Sequence, residues 1–91
     1  MKTINIGIPI EIAQLMSDDG KFNPSDIRFF LYNAYFNKVG DLRKAKEPLY
    51  ARSIRIDDEL YDLMLIHSDN LNMTMKDYTA SLFETYYMEL R

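Results

Sequence analysis

The chain has no cysteine and no tryptophan, which excludes disulfides and thiolate metal sites. Its single histidine, His67, would leave zinc to rely on carboxylates, a poor ligand set for that metal. No apolar run approaches the ~18–20 residues of a membrane span, and the N-terminus lacks the apolar stretch of a signal peptide. The default location is therefore the cytoplasm. Glycine-rich phosphate loops, Ser-His-Asp sets and metal-ligand spacings are all missing, so no enzyme activity and no cofactor are expected. The acidic cluster Asp57, Asp58, Glu59 and Asp62 fits the preference of a helix N-terminus for negative charge better than a catalytic carboxylate pair. His67 falls at a core-facing helical position and reads as a partly buried, hydrogen-bonded residue.

What is present is a repeat. Residues 5–16, Asn-Ile-Gly-Ile-Pro-Ile-Glu-Ile-Ala-Gln-Leu-Met, align without a gap on residues 53–64, Ser-Ile-Arg-Ile-Asp-Asp-Glu-Leu-Tyr-Asp-Leu-Met, at an offset of 48. Both segments share Ile-x-Ile followed by Glu-[Ile/Leu]-x-x-Leu-Met. With 91 residues, 47% of them hydrophobic, the chain holds one core rather than two. Two half-domains, each too small to fold alone, would therefore have to pair.

The alternation Thr3-Ile4-Asn5-Ile6-Gly7-Ile8 has the period of a strand with one buried face. Pro9 stops the ladder and suits a helix start. Ile12, Leu15 and Met16 follow at helical spacing, and Asp18-Asp19-Gly20 closes that helix. Asn23-Pro24-Ser25-Asp26 then supplies an N-cap, a proline at the first helical position and acidic support for the dipole. The second helix is expected to run from Pro24 to about Lys38, with Gly40 ending it. The second copy repeats the plan: strand Arg52–Ile56, cap and acidic turn at Asp57-Asp58-Glu59, and inward positions Leu60, Leu63, Met64 and His67. Thr74 then takes the cap place of Asn23, and Asp77 that of Asp26, at an offset of 51. The three additional residues fall in a loop, where insertion costs little.

Pairing of the two strands is the natural solution to their unpaired edges. The expected fold is α+β and mostly helical, in the order β-α-α-β-α-α. Its two-stranded antiparallel ribbon packs Ile4, Ile6, Ile8, Ile54 and Ile56 on four helices with pseudo-twofold symmetry. The chain divides into a first motif at residues 1–38, a connector at 39–50 and a second motif at 51–91, forming one pseudo-dimeric domain. The opposite ribbon face is expected to show Thr3, Asn5, Gly7, Ser53 and Arg55 to solvent. Such a polar face also has the plain reading of a solvated sheet side.

The net charge of −3 is unevenly spread: residues 1–37 carry −1, residues 38–56 carry +4 and residues 57–91 carry −6. The positive stretch comprises Lys38, Arg43, Lys44, Lys46, Arg52 and Arg55. A local cluster of this kind can hold phosphates on an acidic chain, although a basic run is more often a solvated loop.

Strand, helix, capped turn and helix, twice over in one chain, resembles the ribbon-helix-helix family of DNA-binding proteins in its fused, two-motif form, as in some archaeal viral regulators and conjugation accessory proteins. The resemblance covers nearly the whole chain, and it is carried by the order of elements and the repeat rather than by single residues. It implies double-stranded DNA as partner, with the ribbon in the major groove. In that groove Arg55 suits guanine, Asn5 suits adenine, and Thr3 and Ser53 suit either base type. Gly7, the fifth position of the reading face, contributes no side chain. Helix N-termini capped by Asn23 and Thr74 would anchor flanking phosphates. Ser25, Lys76, Arg52 and the connector residues Lys44 and Lys46 would add phosphate contacts.

The expected function is a small transcriptional repressor acting by operator occupancy. An accessory factor for plasmid or phage DNA processing is a second reading. The acidic second half supports a third, a protein-binding module, antagonist or antitoxin-like, that keeps the fold without touching DNA. Phe29, Phe30, Tyr32, Tyr35 and Phe36, with Tyr78, Phe83, Tyr86 and Tyr87, are more aromatic surface than a small domain readily covers. They mark the second helices as a place for self-association, and Leu65 and Ile66, off the inward stripe of their own helix, add to it.

Overall fold

In a computed structural model describing residues 1–91, the chain folds as α+β, with one two-stranded antiparallel sheet and four helices. Strand β1 spans Lys2–Pro9 and strand β2 spans Leu49–Ile56. Ile4 faces Ile54, Ile6 faces Arg52 and Ile8 faces Tyr50, while the alternate pairs are Thr3 with Arg55, Asn5 with Ser53 and Gly7 with Ala51. Because cross-strand partners point to the same side of a sheet, the first set forms the inner face and the second the outer. Ile4, Ile6, Ile8, Ile54 and Ile56 are all buried, as their alternation dictates. The strands are longer than their isoleucine cores. Leu49 and Tyr50, expected in the connector, are the first residues of β2, because they have Pro9 and Ile8 to pair with and Tyr50 packs its ring edge-on against Phe22 at 5.2 Å.

Helix α1, Ile10–Asp18, follows the first strand directly, and Gly20 turns the chain beyond it at φ +72°. Helix α2, Pro24–Asn33, begins as its sequence requires: Asn23 Oδ1 accepts from the Asp26 amide at 2.9 Å, and proline sits at the first turn. It continues as one π-helical turn, Ala34–Lys38, so the helical path ends where the sequence places it. At the junction Asn33 Nδ2 donates to the Phe29 carbonyl at 2.9 Å, competing for an acceptor of the regular ladder. Helix α3 spans Asp58–Asn70, and helix α4, capped by Thr74 Oγ1 on the Asp77 amide at 3.1 Å, spans Met75–Leu90.

Helix α4 is the centre of the molecule. Tyr78 through Phe83, then Tyr86 and Tyr87, are buried. Phe83 stacks on Phe30 of α2 at 4.3 Å between ring centroids. The stretch between α2 and β2 wraps the far side of α4. There the Arg43 amide donates to Thr85 Oγ1 at 2.8 Å, and its guanidinium donates to the Glu84 and Thr85 carbonyls. Helix α2 has no such cover: Phe29, Tyr32 and Phe36, one face of that helix, stand 70%, 50% and 45% exposed. No helix is long and apolar enough to cross a membrane.

Candidate nucleic-acid interface

The outer face of the sheet gathers Thr3, Asn5, Ser53 and Arg55, all exposed. Asn5 and Ser53, matched by the repeat, are also direct partners across the strands, and Ser53 Oγ donates to Asn5 Oδ1 at 2.7 Å. That bond fixes the Asn5 amide plane and leaves its NH2 free to donate outward. Arg55 lies beside Thr3, one pair along. It takes part in none of the chain's three ion pairs, so its guanidinium keeps all five donors for an external acceptor. Along a strand the two pairs are spaced by about 6.7 Å, close to two base-pair steps of B-DNA at about 3.4 Å each.

Gly7 departs from the expectation. It belongs to the outer face by register, opposite exposed Ala51, yet it is buried. The start of α4 lies against it: the Gly7 amide donates to Thr79 Oγ1 at 3.0 Å, and a Cβ at Gly7 would meet Lys76 Cγ and the Lys76 carbonyl oxygen, both at 2.9 Å, and Leu49 Cδ1 at 3.1 Å. The glycine therefore admits a helix rather than presenting an open reading position.

Arg52 is also corrected. Paired with Ile6, it sits on the inner face, half-buried, with its guanidinium carbon 5.0 Å from the centre of the Phe22 ring and a donor 3.4 Å from the Phe22 carbonyl. A cation stacked in this way packs the edge of the core rather than waiting for a phosphate.

The other expected phosphate contacts divide. Asn23 and Thr74 both spend their side-chain oxygens on capping, and Asn23 Nδ2 also donates to Asp26 Oδ2 at 2.7 Å. The start of α2 thus carries its own carboxylate, and Pro24 supplies no N–H. The start of α4 has Met75 and Lys76 with amides in the first turn and the exposed Lys76 ammonium beside them. Ser25 is exposed in a shallow hollow shared with Arg28, Ile56 and Asp57 at the Arg55 end of the sheet. Arg28 is a functional candidate that sequence reading missed. Its signal was its position one turn after Ser25 and its match to Thr79 at the offset of 51. Lys44 lines a groove with Glu47, Leu49, Asp77 and Ser81, and Lys46 lines another with Glu11, Glu47 and Glu84; neither lysine takes part in an ion pair.

Elsewhere the titratable groups hold the fold together. Asp19 takes a two-pronged ion pair from Arg91 at 2.8 and 3.1 Å, which holds its carboxyl below the usual range. Tyr87 donates to the same carboxylate at 3.1 Å, and burial together with that bond pushes its hydroxyl up to about 12. His67 Nδ1 and Tyr78 Oη are 2.7 Å apart, and burial raises the Tyr78 hydroxyl well above the ordinary phenol range. The phenol therefore stays protonated and able to donate to the ring nitrogen. No group of three or more side chains is arranged to hold a metal ion.

Compared with family models, curated proteins and solved structures, the chain gives no match.

Proposed function

We propose that the chain is a tandem ribbon-helix-helix protein that binds double-stranded DNA by laying its two-stranded sheet in the major groove, and that it acts as a small repressor by occupying an operator. The observation that carries this reading is the outer face itself. One side of the sheet is seated on helices, while the other, beyond the Gly7 end where α4 closes on it, offers Asn5, Ser53, Thr3 and an unpaired Arg55. In this reading a pseudo-twofold axis passes between Asn5 and Ser53. Its support is that two residues equated by the repeat are also cross-strand partners. Arg55, Asn5 and their neighbours read bases, and the backbone amides at the start of α4 meet the flanking phosphates. The exposed stripe Phe29, Tyr32 and Phe36 pairs two such molecules, setting two sheets on neighbouring stretches of groove.

The deciding measurement is binding to mixed-sequence duplex DNA across a salt series. Affinity should fall linearly on a log-log plot as phosphate contacts release counterions, and a shortfall to no detectable binding at low salt sinks the reading. A second reading, an acidic protein-binding module of the same fold, draws on the charge of −6 over residues 57–91. It is favoured if duplex binding is undetectable at low salt and Arg55→Ala changes nothing. Action as an accessory factor in DNA processing uses the same contacts and differs from repression only in what the occupied site does.

A further inference from the structure

The two ends of the sheet carry their cations on different elements. Gly7 and Arg55 are matched by the repeat of the strands, at an offset of 48, and Ser25 and Lys76 by the repeat of the capped helices, at an offset of 51. At one end of the sheet the strand carries the large cation, Arg55, near a helix start that carries the small residue Ser25. At the other end the strand carries glycine and the helix start against it carries Lys76. Both cations belong to the second motif, yet the fold sets them at opposite ends of the sheet. The place a side chain at Gly7 would occupy is filled by the stem of Lys76, whose Cγ would be 2.9 Å from such a Cβ. The virtual Cβ points to the outer face, since Gly7 pairs with exposed Ala51. From Cγ, only three bonds remain to an ammonium that is exposed and unpaired.

We propose that Lys76 is a base-reading residue, the counterpart of Arg55 in the other half of the interface, rather than a contact to phosphate. The inference rests on the DNA-binding reading above. Lysine and arginine both recognise guanine through O6 and N7, so each arm of the binding site carries a guanine preference, one read from a strand and one from a helix. The two arms are not equivalent. Arginine's planar fork fixes both acceptors of a single guanine, whereas the ammonium of lysine is a compact charge that tolerates neighbouring acceptors. The Lys76 arm is therefore the less stringent one.

The test is selection of bound sequences from a random duplex pool with the wild type, Lys76→Met, Lys76→Arg and Arg55→Met, followed by affinity and salt titrations on the selected site. Lys76→Met keeps the stem that covers Gly7 and removes the charge. The expected result is loss of guanine preference in one arm for Lys76→Met and in the opposite arm for Arg55→Met, with roughly 10- to 100-fold weaker binding to the selected site in each case. Lys76→Arg should restore the preference. If Lys76→Met keeps the full wild-type consensus while weakening all sequences alike and flattening the salt slope by about one, Lys76 is a phosphate contact, and the inference falls while DNA binding stands. If the wild type itself enriches no sequence, sequence-specific DNA binding is refuted and the inference with it.

Discussion

The amide of Gly7 donates to the hydroxyl of Thr79 at 3.0 Å, joining the first strand to the last helix across 72 residues of chain. Thr79 Oγ1 also lies 3.0 Å from the carbonyls of Met75 and Lys76, within its own helix. One hydroxyl therefore ties the free edge of β1 to the first turns of α4. Only a glycine allows the approach, because any Cβ would press on the Lys76 backbone oxygen at 2.9 Å. At the matched place in the second strand, Arg55 projects a full side chain instead. The two ends of the sheet are thus built differently.

Two substitutions test that junction. Gly7→Ala forces the helix start or the strand to move and should destabilise by about 1–3 kcal/mol. Thr79→Val strands a buried amide and should cost about 1–3 kcal/mol, while Thr79→Ser, which keeps the hydroxyl, should cost less. Because both residues act on one contact, the double variant Gly7→Ala/Thr79→Val should lose less than the separate losses combined. Urea denaturation measures all four. Full additivity would show that the contact is not shared.

Much of this architecture was legible in the sequence. The isoleucine alternation marked the inner face, and Asn23, Pro24 and Thr74 marked the helix starts, since these are short-range effects of burial period and backbone satisfaction. Gly7 was not legible, because a glycine in a strand pattern signals only that something approaches, and the approaching element lies 72 residues away. Arg52 misled for a related reason: its charge suggested solvent, but its face was decided by a register that pairs it with Ile6. The connector charges Lys44 and Lys46 were legible, but not the grooves they line, because Asp77, Glu11 and Glu84 come from elements distant in the sequence. The polar outer face at Asn5, Ser53 and Arg55 followed directly from the period, and what it binds is a matter for the experiments above.

The exposed stripe on α2 predicts a separation between stability and association. Phe29 is 70% exposed while its neighbour Phe30 is buried against Phe83. Phe29→Ser combined with Tyr32→Ser should leave the unfolding midpoint nearly unchanged, within about 0.5 kcal/mol per site. Sedimentation equilibrium should show the wild type associating as concentration rises and the double variant remaining monomeric. Phe83→Ala, in contrast, should cost about 3–5 kcal/mol. A wild type that sediments as a monomer at every concentration would remove self-association from the proposed function.

The cluster of Asp19, Arg91 and Tyr87 makes stability depend on pH at both extremes. Asp19 has its carboxyl lowered in the fold, chiefly by the hydrogen bond from Arg91, so its contribution is present above the ordinary carboxylate range and is lost as pH falls through the lowered value. Tyr87 has its hydroxyl raised from 10.0 to about 12. Its contribution is complete below 10 and declines as pH rises toward 12, where the unfolded chain ionises first. Tyr87→Phe should flatten the alkaline limb of a stability curve and leave the Arg91 contribution to the acid limb in place. Arg91→Ala should flatten the acid limb. Thermal unfolding across a pH series reads both, and an acid limb unchanged by Arg91→Ala would rule out the ion pair as its source.

Arg52 and Arg55 stand three residues apart on opposite faces of one strand, and they should fail in opposite ways. Arg52 stacks on Phe22 and donates to its carbonyl, so Arg52→Ala removes packing and a cation–ring contact, a loss of about 1 kcal/mol in unfolding. Its effect on DNA preference should be no more than that loss of stability carries over. Arg55 is exposed and free of ion pairs. Arg55→Ala should therefore unfold at the same denaturant concentration as the wild type, yet lose about 1–3 kcal/mol of discrimination at one base pair of the bound site. The salt slope also distinguishes roles, because removing a base contact relaxes preference at one position, whereas removing a phosphate contact weakens all sequences alike. Measuring denaturation and duplex binding on the same two variants makes each the control for the other. Identical behaviour of the two would mean that the inner and outer faces of the sheet do not divide folding from recognition, and the major-groove reading would lose its structural basis.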